Sequence, residues 1–378
     1  MILPNQCYIE LTQNCNLRCK HCFAAAKQCS KEIDLHDIKM IFSQLEDLGI
    51  YSVNLSGGEP VLNKNFFEIM EYVAKQPFEI TVLTNGMLWD QSMFDLFIKS
   101  VPQKNIKIQV SLDGDYNSMF QQRGICDSEY EKIIDNIKMF KSNGFRVGCL
   151  FVANSLTIKD AISICKNYVK ELNIDGIKIV PMFPIGRAQD NIDALGEFWE
   201  SWSKLVVEFT CLKKKEKDDP ILKKIKMSFF NLYELVVPLD NAGMHSDIYD
   251  VWNLDVDNLD NYRKQIHRKF FCEVGYSELV ISSEMHMYPC VASVRSDLKV
   301  GNLKEEMIAD LWENSEVLGW FRDNLDKVIL QEPCVRCKYK DFCGGGCRLI
   351  SVTNECNNFI PDSRCPIVRQ YYKEKSEK

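Results

Sequence analysis

Apolar, β-branched runs recur at residues 8–11, 52–55, 80–83, 106–112, 146–152 and 176–180, with helical spacing between them. The first helical stretch is the best marked. Asp34 suits an N-cap. Leu35, Ile38, Ile41, Phe42, Leu45 and Leu48 trace one face of a 3.6-residue repeat, and Gly49 suits the position just past the last turn. Alternating strands and helices predict an α/β chain with a parallel sheet. Six units are too few for a closed eight-stranded barrel, so a partial, open (β/α)6 barrel fits. Its chemistry is expected at the C-terminal ends of the strands.

The pattern changes after residue 188. From 189 to 271 no strand–helix alternation is evident. The charge run 213–219, closed by Pro220, reads as a solvated loop between helices. Trp199 and Trp202 share a helical pattern with Phe198 and Leu205 and read as core, and Asn241-Ala242-Gly243 reads as a turn. Residues 1–188 are therefore expected to form the barrel and 189–271 a bridging, substrate-side segment. Residues 272–378 are expected to form a small cysteine-rich domain.

Composition narrows the class. The chain has 378 residues, 46% of them apolar, which suits a globular protein of more than one domain. Net charge is −7 with both signs dispersed, which argues against the basic patch of a nucleic-acid binder. Residues 1–6 lead straight into a strand without an export signal, and no apolar run is long enough to span a membrane. Seventeen cysteines stand out, ten of them in metal-ligand spacings. In a large chain without an export signal these read as reduced thiolates of a cytoplasmic protein in a low-oxygen setting.

The sharpest spacing is Cys15-x3-Cys19-x2-Cys22, in a loop opened by the first strand. Three thiolates that close can hold three irons of a [4Fe–4S] cube, which normally has four cysteine ligands. The fourth iron then keeps an open position, as a catalytic zinc does. Zinc binding and chance are the competing readings, and a βα loop is where a barrel enzyme keeps its chemistry. The later strand ends carry Ser56-Gly57-Gly58-Glu59-Pro60, Thr84-Asn85-Gly86 and Ser111-Leu112-Asp113-Gly114, with Arg123 beyond. Paired glycines let backbone approach a ligand closely. A guanidinium presents a planar fork that suits a carboxylate.

Taken together, these stretches resemble the radical S-adenosylmethionine (SAM) enzymes. The resemblance implies the same partial barrel. It implies that the open iron chelates the amino and carboxylate groups of SAM, and that one electron cleaves SAM to a 5′-deoxyadenosyl radical that takes hydrogen from a substrate. Carried onto this chain, it makes Gly57, Gly58, Glu59, Ser111, Asp113, Arg123 and His21 the cofactor-facing residues. His21 takes the place of an aromatic residue packed near adenine. The start of the 181–187 stretch would line the adenine pocket.

The last third has Cys272, Cys290, the run Cys334-x2-Cys337-x5-Cys343-x3-Cys347 with Gly344-Gly345-Gly346 inside it, and Cys365. A C-x2-C knuckle with a second thiolate pair marks a metal site, and zinc is again the competing reading. Seven cysteines do not divide into four-thiolate sites, whereas two clusters with one ligand outstanding use them all. The arrangement resembles the SPASM extension of peptide- and protein-modifying radical SAM enzymes. That resemblance assigns Cys272, Cys290 and Cys347 to one auxiliary cluster and Cys334, Cys337, Cys343 and Cys365 to the other, three [4Fe–4S] clusters in all. Some members carry a further cysteine soon after the first, and residues 273–289 contain none. The fourth ligand of the first auxiliary cluster is thus Cys356, another side chain, or an open site for substrate. Of the remaining cysteines (Cys7, Cys29, Cys126, Cys149, Cys165, Cys211 and Cys356), most read as small buried hydrophobes, and one as a hydrogen-atom donor if the reaction inverts a centre.

The resemblance implies a maturase of a ribosomal peptide, forming a thioether or carbon–carbon link or an inverted centre. Its partners would be a peptide or protein substrate and a reductant such as flavodoxin or ferredoxin. With only fourteen residues before Cys15, leader recognition would fall to a separate protein or to the middle segment. Anaerobic sulfatase maturases, which make formylglycine, are the runner-up; they carry an aspartate after the second SPASM cysteine, where this chain has Val291. A SPASM enzyme of haem or cofactor synthesis is a further alternative. A non-catalytic iron–sulfur or zinc protein would leave the Gly-Gly-Glu-Pro and Ser111/Arg123 spacings unexplained.

Overall fold

The computed structural model describes residues 3–26, 31–101, 106–192, 199–351 and 359–377. Cys29, Phe198 and Cys356 lie outside them. The chain divides into two compact units, each discontinuous in sequence. The first comprises Met1–Glu197, Asp218–Ser228 and Ser277–Ser315; the second comprises Phe198–Lys217, Phe229–Tyr276 and Glu316–Lys378.

The first unit is built on one sheet. Its strands are β1 (Gln6–Glu10), β2 (Ser52–Ser56), β3 (Glu79–Thr84), β4 (Ile106–Ser111), β5 (Arg146–Ala153), β6 (Gly176–Pro181), β7 (Ile225–Met227), β8 (Glu278–Ile281), β9 (His286–Tyr288) and β10 (Gly301–Asn302). They run in the order β10-β9-β8-β1-β2-β3-β4-β5-β6-β7. The six expected strands pair in parallel, sequence neighbour to sequence neighbour, from β1 to β6. Two more parallel strands extend that row, β7 beside β6 and β8 beside β1. The alternation thus continues past residue 188, contrary to the sequence reading. The three-residue run of β7 is too short to register as a strand pattern.

The helices α1 (Leu35–Asp47), α2 (Phe66–Val73), α3 (Gln91–Ser100), α4 (Tyr116–Arg123), α5 (Asp127–Ser142) and α6 (Ala161–Glu171) separate those strands. At the start of α1 the Asp34 carboxylate accepts from the Asp37 amide at 2.9 Å, and past its end Gly49 takes a φ of +69°. Ile38, Ile41, Phe42 and Leu45 are buried along one face, as the spacing predicts. Behind the strands, the buried Trp89 ring meets Phe66, Phe94, Phe97 and Phe140 at centroid distances of 5.9, 5.3, 5.0 and 4.9 Å. These are offset and edge-on contacts that add to burial. This core fixes the far side of the sheet and leaves the strand ends to carry loops.

In the second unit the helix Trp199–Lys215 corrects the first part of the loop expected at 213–219: its last turn is Lys213, Lys214 and Lys215, and only residues 216–219 form the turn before the next helix, Pro220–Lys223. Cations there complement the helix dipole. Lys213 Nζ lies 4.6 Å from the Trp252 ring centre, and Lys214 Nζ is 2.8 Å from Asp247 Oδ1. Trp202 is fully buried and donates from Nε1 to the Glu234 carbonyl at 3.0 Å, whereas Trp199 is only half-buried. Gly243, in the expected turn, has a φ of +70°. Among the described residues no helix is long and apolar enough to cross a membrane.

Candidate active site

The loop after β1 holds Cys15, Cys19 and Cys22, and the stretches after β2, β3, β4 and β6 reach it. The loop after β2 packs against it backbone to backbone. Gly58 N donates to Thr12 O and Glu59 N to Asn14 O, both at 2.7 Å. Gly57 has a φ of +144°, and a Cβ on it would stand 2.3 Å from Thr12 O. One on Gly58 would stand 2.2 Å from Asn14 O. Only glycine fits at either position. The Glu59 side chain turns the other way and is 1% exposed. Its carboxylate accepts from Thr84 Oγ1 and Asn85 N, both at 2.7 Å, which ties the loop after β2 to the loop after β3. Burial pushes the Glu59 carboxyl up to about 7, against the two donors from Asn85 and Thr84. Asn85 Nδ2 in turn donates to Asn16 Oδ1 at 2.9 Å, back in the cysteine loop.

Beyond β4, Asp113 is fully buried and gathers two partners of the same loop system. His21 Nε2 lies 3.0 Å from its Oδ2, and Arg123 Nε donates to that oxygen at 2.7 Å. Val152 N donates to Oδ1 at 2.9 Å. Burial drives the Asp113 carboxyl up; Arg123 first and His21 second more than offset this and hold it below the usual carboxylate range. Arg123 Nη1 also reaches Cys19 Sγ at 3.7 Å. Ser111 ends β4, half-buried. The sequence-derived Arg123 and Asp113 are thus an ion pair braced against the cysteine loop, with His21 on the same carboxylate.

A third set of contacts has no counterpart in the sequence motifs. Arg187 N donates to Cys22 O at 3.0 Å, its Nε to Cys19 O at 3.0 Å, and its Nη1 to Ala26 O at 2.6 Å. Gly186 before it has a φ of +57°, and a Cβ there would stand 2.3 Å from Phe23 O. The loop after β6 is therefore moulded to the cysteine loop by one glycine and one arginine. Arg295 donates to Ala24 O at 2.6 Å and pairs with Glu10 at the end of β1. Glu10 also accepts from Ser283 N and Oγ. An arginine in a loop carries no pattern, so only the fold reveals Arg187 and Arg295.

The three thiols share the loop after β1, with Cys19 buried and Cys15 and Cys22 half-buried. Leu17 N approaches Cys15 Sγ at 3.4 Å, and Cys15, Cys19 and Cys22 influence one another electrostatically. Burial pushes the Cys15 thiol up to about 11. His21 Nδ1 is buried with no hydrogen-bond partner among the described residues, a donor set left open beside the cysteines. These features fit an iron–sulfur cluster with a further ligand against it.

In the second unit, Cys334, Cys337, Cys343 and Cys365 line one cavity, with Val236, Val237, Ile367 and Val368 as its apolar wall. Four thiols in an otherwise apolar cavity suit a cube of iron and sulfide. Asp362, fully buried, braces the stretch around it: it accepts from Cys347 N at 2.9 Å, Tyr233 Oη at 3.1 Å and Arg364 Nη2 at 2.8 Å. The carboxylate lies three positions before Cys365, a spacing with no signature. Cys272 and Cys347 belong to this unit, and Cys290 belongs to the first, capping a short turn with Ser293. Among the described residues no three His, Cys, Asp or Glu side chains converge as ligands of a single metal ion would; a cube spreads its thiolates around four irons. Cys7, Cys149 and Cys165 are buried, and Cys126 and Cys211 are exposed.

Residues 9–166 match the radical SAM superfamily, and the chain is a radical SAM enzyme. Residues 272–338 match SPASM, an iron-sulfur cluster-binding domain, so it belongs to the SPASM-bearing branch and, by these two matches, uses iron–sulfur clusters and SAM. The two matches together span more than half of the chain. The mycofactocin maturase MftC of Mycolicibacterium smegmatis is 24% identical over 94% of this chain and 81% of its own. The Fe-coproporphyrin III synthase of Methanosarcina barkeri is 23% identical over 95% and 87%. The crystal structure of Streptococcus suis SuiB bound to its precursor peptide SuiA matches the fold with a TM-score of 0.76 at 18% identity, over 97% of this chain and 76% of that one.

Proposed function

We propose that this enzyme matures a ribosomal peptide. The observation that carries the proposal is the convergence of four strand-end loops on Cys15, Cys19 and Cys22, together with a separate thiol-lined cavity. The similarity to a maturase and to a peptide-bound fold neighbour supports the choice of substrate. When bound, the cluster and SAM supply the 5′-deoxyadenosyl radical that takes hydrogen from the substrate. The chain's own residues hold and shield that chemistry. Cys15, Cys19 and Cys22 are the ligands of the first cluster. Gly57, Gly58, Ser111 and His21 shape the SAM side. Arg123 and Asp113 form a fixed ion pair beside Cys19, and Glu59 locks two loops together.

We assign Cys334, Cys337, Cys343 and Cys365 to one auxiliary cluster, and Cys272, Cys290 and Cys347 to another. Residues 1–188 act as the radical-generating barrel, 189–271 as the substrate-side segment and 272–378 as the auxiliary-cluster segment, in a cytoplasmic, low-oxygen setting. A reductant such as flavodoxin or ferredoxin supplies the electron. A tetrapyrrole substrate is the second reading, supported by the likeness to the Fe-coproporphyrin III synthase.

Anaerobically reconstituted enzyme with dithionite and SAM is expected to release 5′-deoxyadenosine, and about twelve irons per chain are expected for three cubes. Replacing Cys15, Cys19 and Cys22 with alanine should abolish the release and spare the other irons. Mass spectrometry with a peptide encoded beside the gene, and in parallel with Fe-coproporphyrin III, separates the readings. Turnover of the porphyrin alone would overturn the peptide proposal.

A further inference from the structure

Arg348 follows Cys347 directly and is 2% exposed. Its Nε, Nη1 and Nη2 have no hydrogen-bond partner among the described residues. A guanidinium carries five N–H donors, and an interior cation without a counter-charge is strongly disfavoured. The second unit satisfies another buried guanidinium in the ordinary way: Arg364 donates from Nε and Nη2 to the Asp362 carboxylate, at 3.0 and 2.8 Å. Among the described residues Arg348 has no carboxylate partner. One face lies against the Phe270 ring, 5.5 Å from its centre, a cation–π contact that leaves the in-plane donors unused.

The backbone is shaped around this group. Gly344 has a φ of +72°, and a Cβ on it would stand 2.4 Å from Arg348 Nη2. On Gly345, at a φ of +89°, a Cβ would stand 2.4 Å from Val328 Cγ1, so that glycine is required by Val328. Gly344, directly after Cys343, thus leaves room for the guanidinium. Arg348 adjoins Cys347 in the chain and packs against Gly344, which adjoins Cys343; burial weighs most on its charge, and Cys272, Cys343, Cys347 and Cys334 act on it after that. Cys272 and Cys347 belong to one proposed auxiliary set, Cys343 and Cys334 to the other.

We propose that Arg348 is the hydrogen-bond donor shared by the two auxiliary clusters, its N–H groups directed at their sulfurs. The proposal rests on the reading that these cysteines hold clusters. It explains why a buried cation is kept without a carboxylate: the anionic clusters are its counter-charge. N–H···S bonds and a nearby positive charge both favour the reduced state, so Arg348 raises the auxiliary potentials and makes those clusters better electron acceptors. It acts through the clusters and is a positioning and tuning residue.

The test uses full-length, reconstituted enzyme with Arg348→Met and Arg348→Lys. EPR-monitored redox titration is expected to show the auxiliary clusters roughly tenfold harder to reduce in Arg348→Met, about 59 mV lower for a one-electron step. Arg348→Lys, which keeps the charge but loses the fork, should fall between, with the SAM-cluster potential unmoved in both. Should Arg348→Met fail to hold iron, Arg348→Lys decides: a lowered auxiliary potential supports the role, and an unchanged one overturns it. About twelve irons with unchanged potentials in both variants overturns the role of Arg348 alone. About four irons in the unsubstituted enzyme overturns the cluster assignment itself, and this proposal with it.

Discussion

Asp113 and Glu59 are both buried carboxyls at strand ends, and their surroundings drive them in opposite directions. Asp113 meets a guanidinium and an imidazole and stays ionised; Glu59 meets only neutral donors and is pushed up to about 7. Removing the Asp113 charge leaves Arg123 buried without its partner. Asp113→Asn should therefore cost on the order of 3–5 kcal/mol in denaturant unfolding, and a loss within about 0.5 kcal/mol would contradict the pairing. For Glu59 the dependence is on pH. The folded chain keeps a proton up to about 7 that the unfolded chain loses near 4.5. Between those values the native state binds more protons, so stability falls as pH rises, then levels off above the higher one. Glu59→Gln does not titrate. The melting temperature of the native chain relative to this variant should drop from about pH 5 to about pH 8, and a constant difference would rule out the raised carboxyl.

At the level of elements, the loops after β2, β3, β4 and β6 do not merely surround the cysteine loop; each is fastened to it. Gly57 and Gly58 do so by letting backbone touch backbone, and Arg187 by spanning three carbonyls from a single residue. Arg187→Met keeps the length of the side chain and loses both guanidinium bonds. We expect iron at Cys15, Cys19 and Cys22 to be released to a chelator about 10–100-fold faster, the scale seen for outer partners of metal ligands. The auxiliary irons should leave at the unsubstituted rate; uniform loss from all sites would point to general unfolding instead. The helix through Lys213–Lys215 teaches a related lesson. The charge run 213–219 reads as a loop, yet its first three lysines close a helix C-terminus with Trp252 and Asp247 to meet them, where cations are stabilising.

Across the whole molecule, the six parallel strands from β1 to β6 and the two cysteine constellations are legible in the amino-acid order alone. Hydrophobic periodicity and covalent spacing are local, and both are dictated by short-range geometry: two residues per strand repeat, 3.6 per helical turn, a few residues between thiolates of one cube. The family resemblance rests on the same local signals, in 9–166 and 272–338. What local pattern does not carry is which distant groups meet. The pairing of β8 with β1 joins residues some 270 positions apart and draws the stretch with Cys290 into the first unit. The partners of Asp113, the three carbonyls under Arg187, the bracing by Asp362 and the bare guanidinium of Arg348 also depend on chain segments brought together only in the folded state. The sequence by itself carried the likeness to radical SAM enzymes, because the Cys15-x3-Cys19-x2-Cys22 spacing and the motifs at the strand ends are all local signals. Only the tertiary structure decided how that loop is held and which charged groups are buried together, because burial and long-range contact set the energy of a charged group.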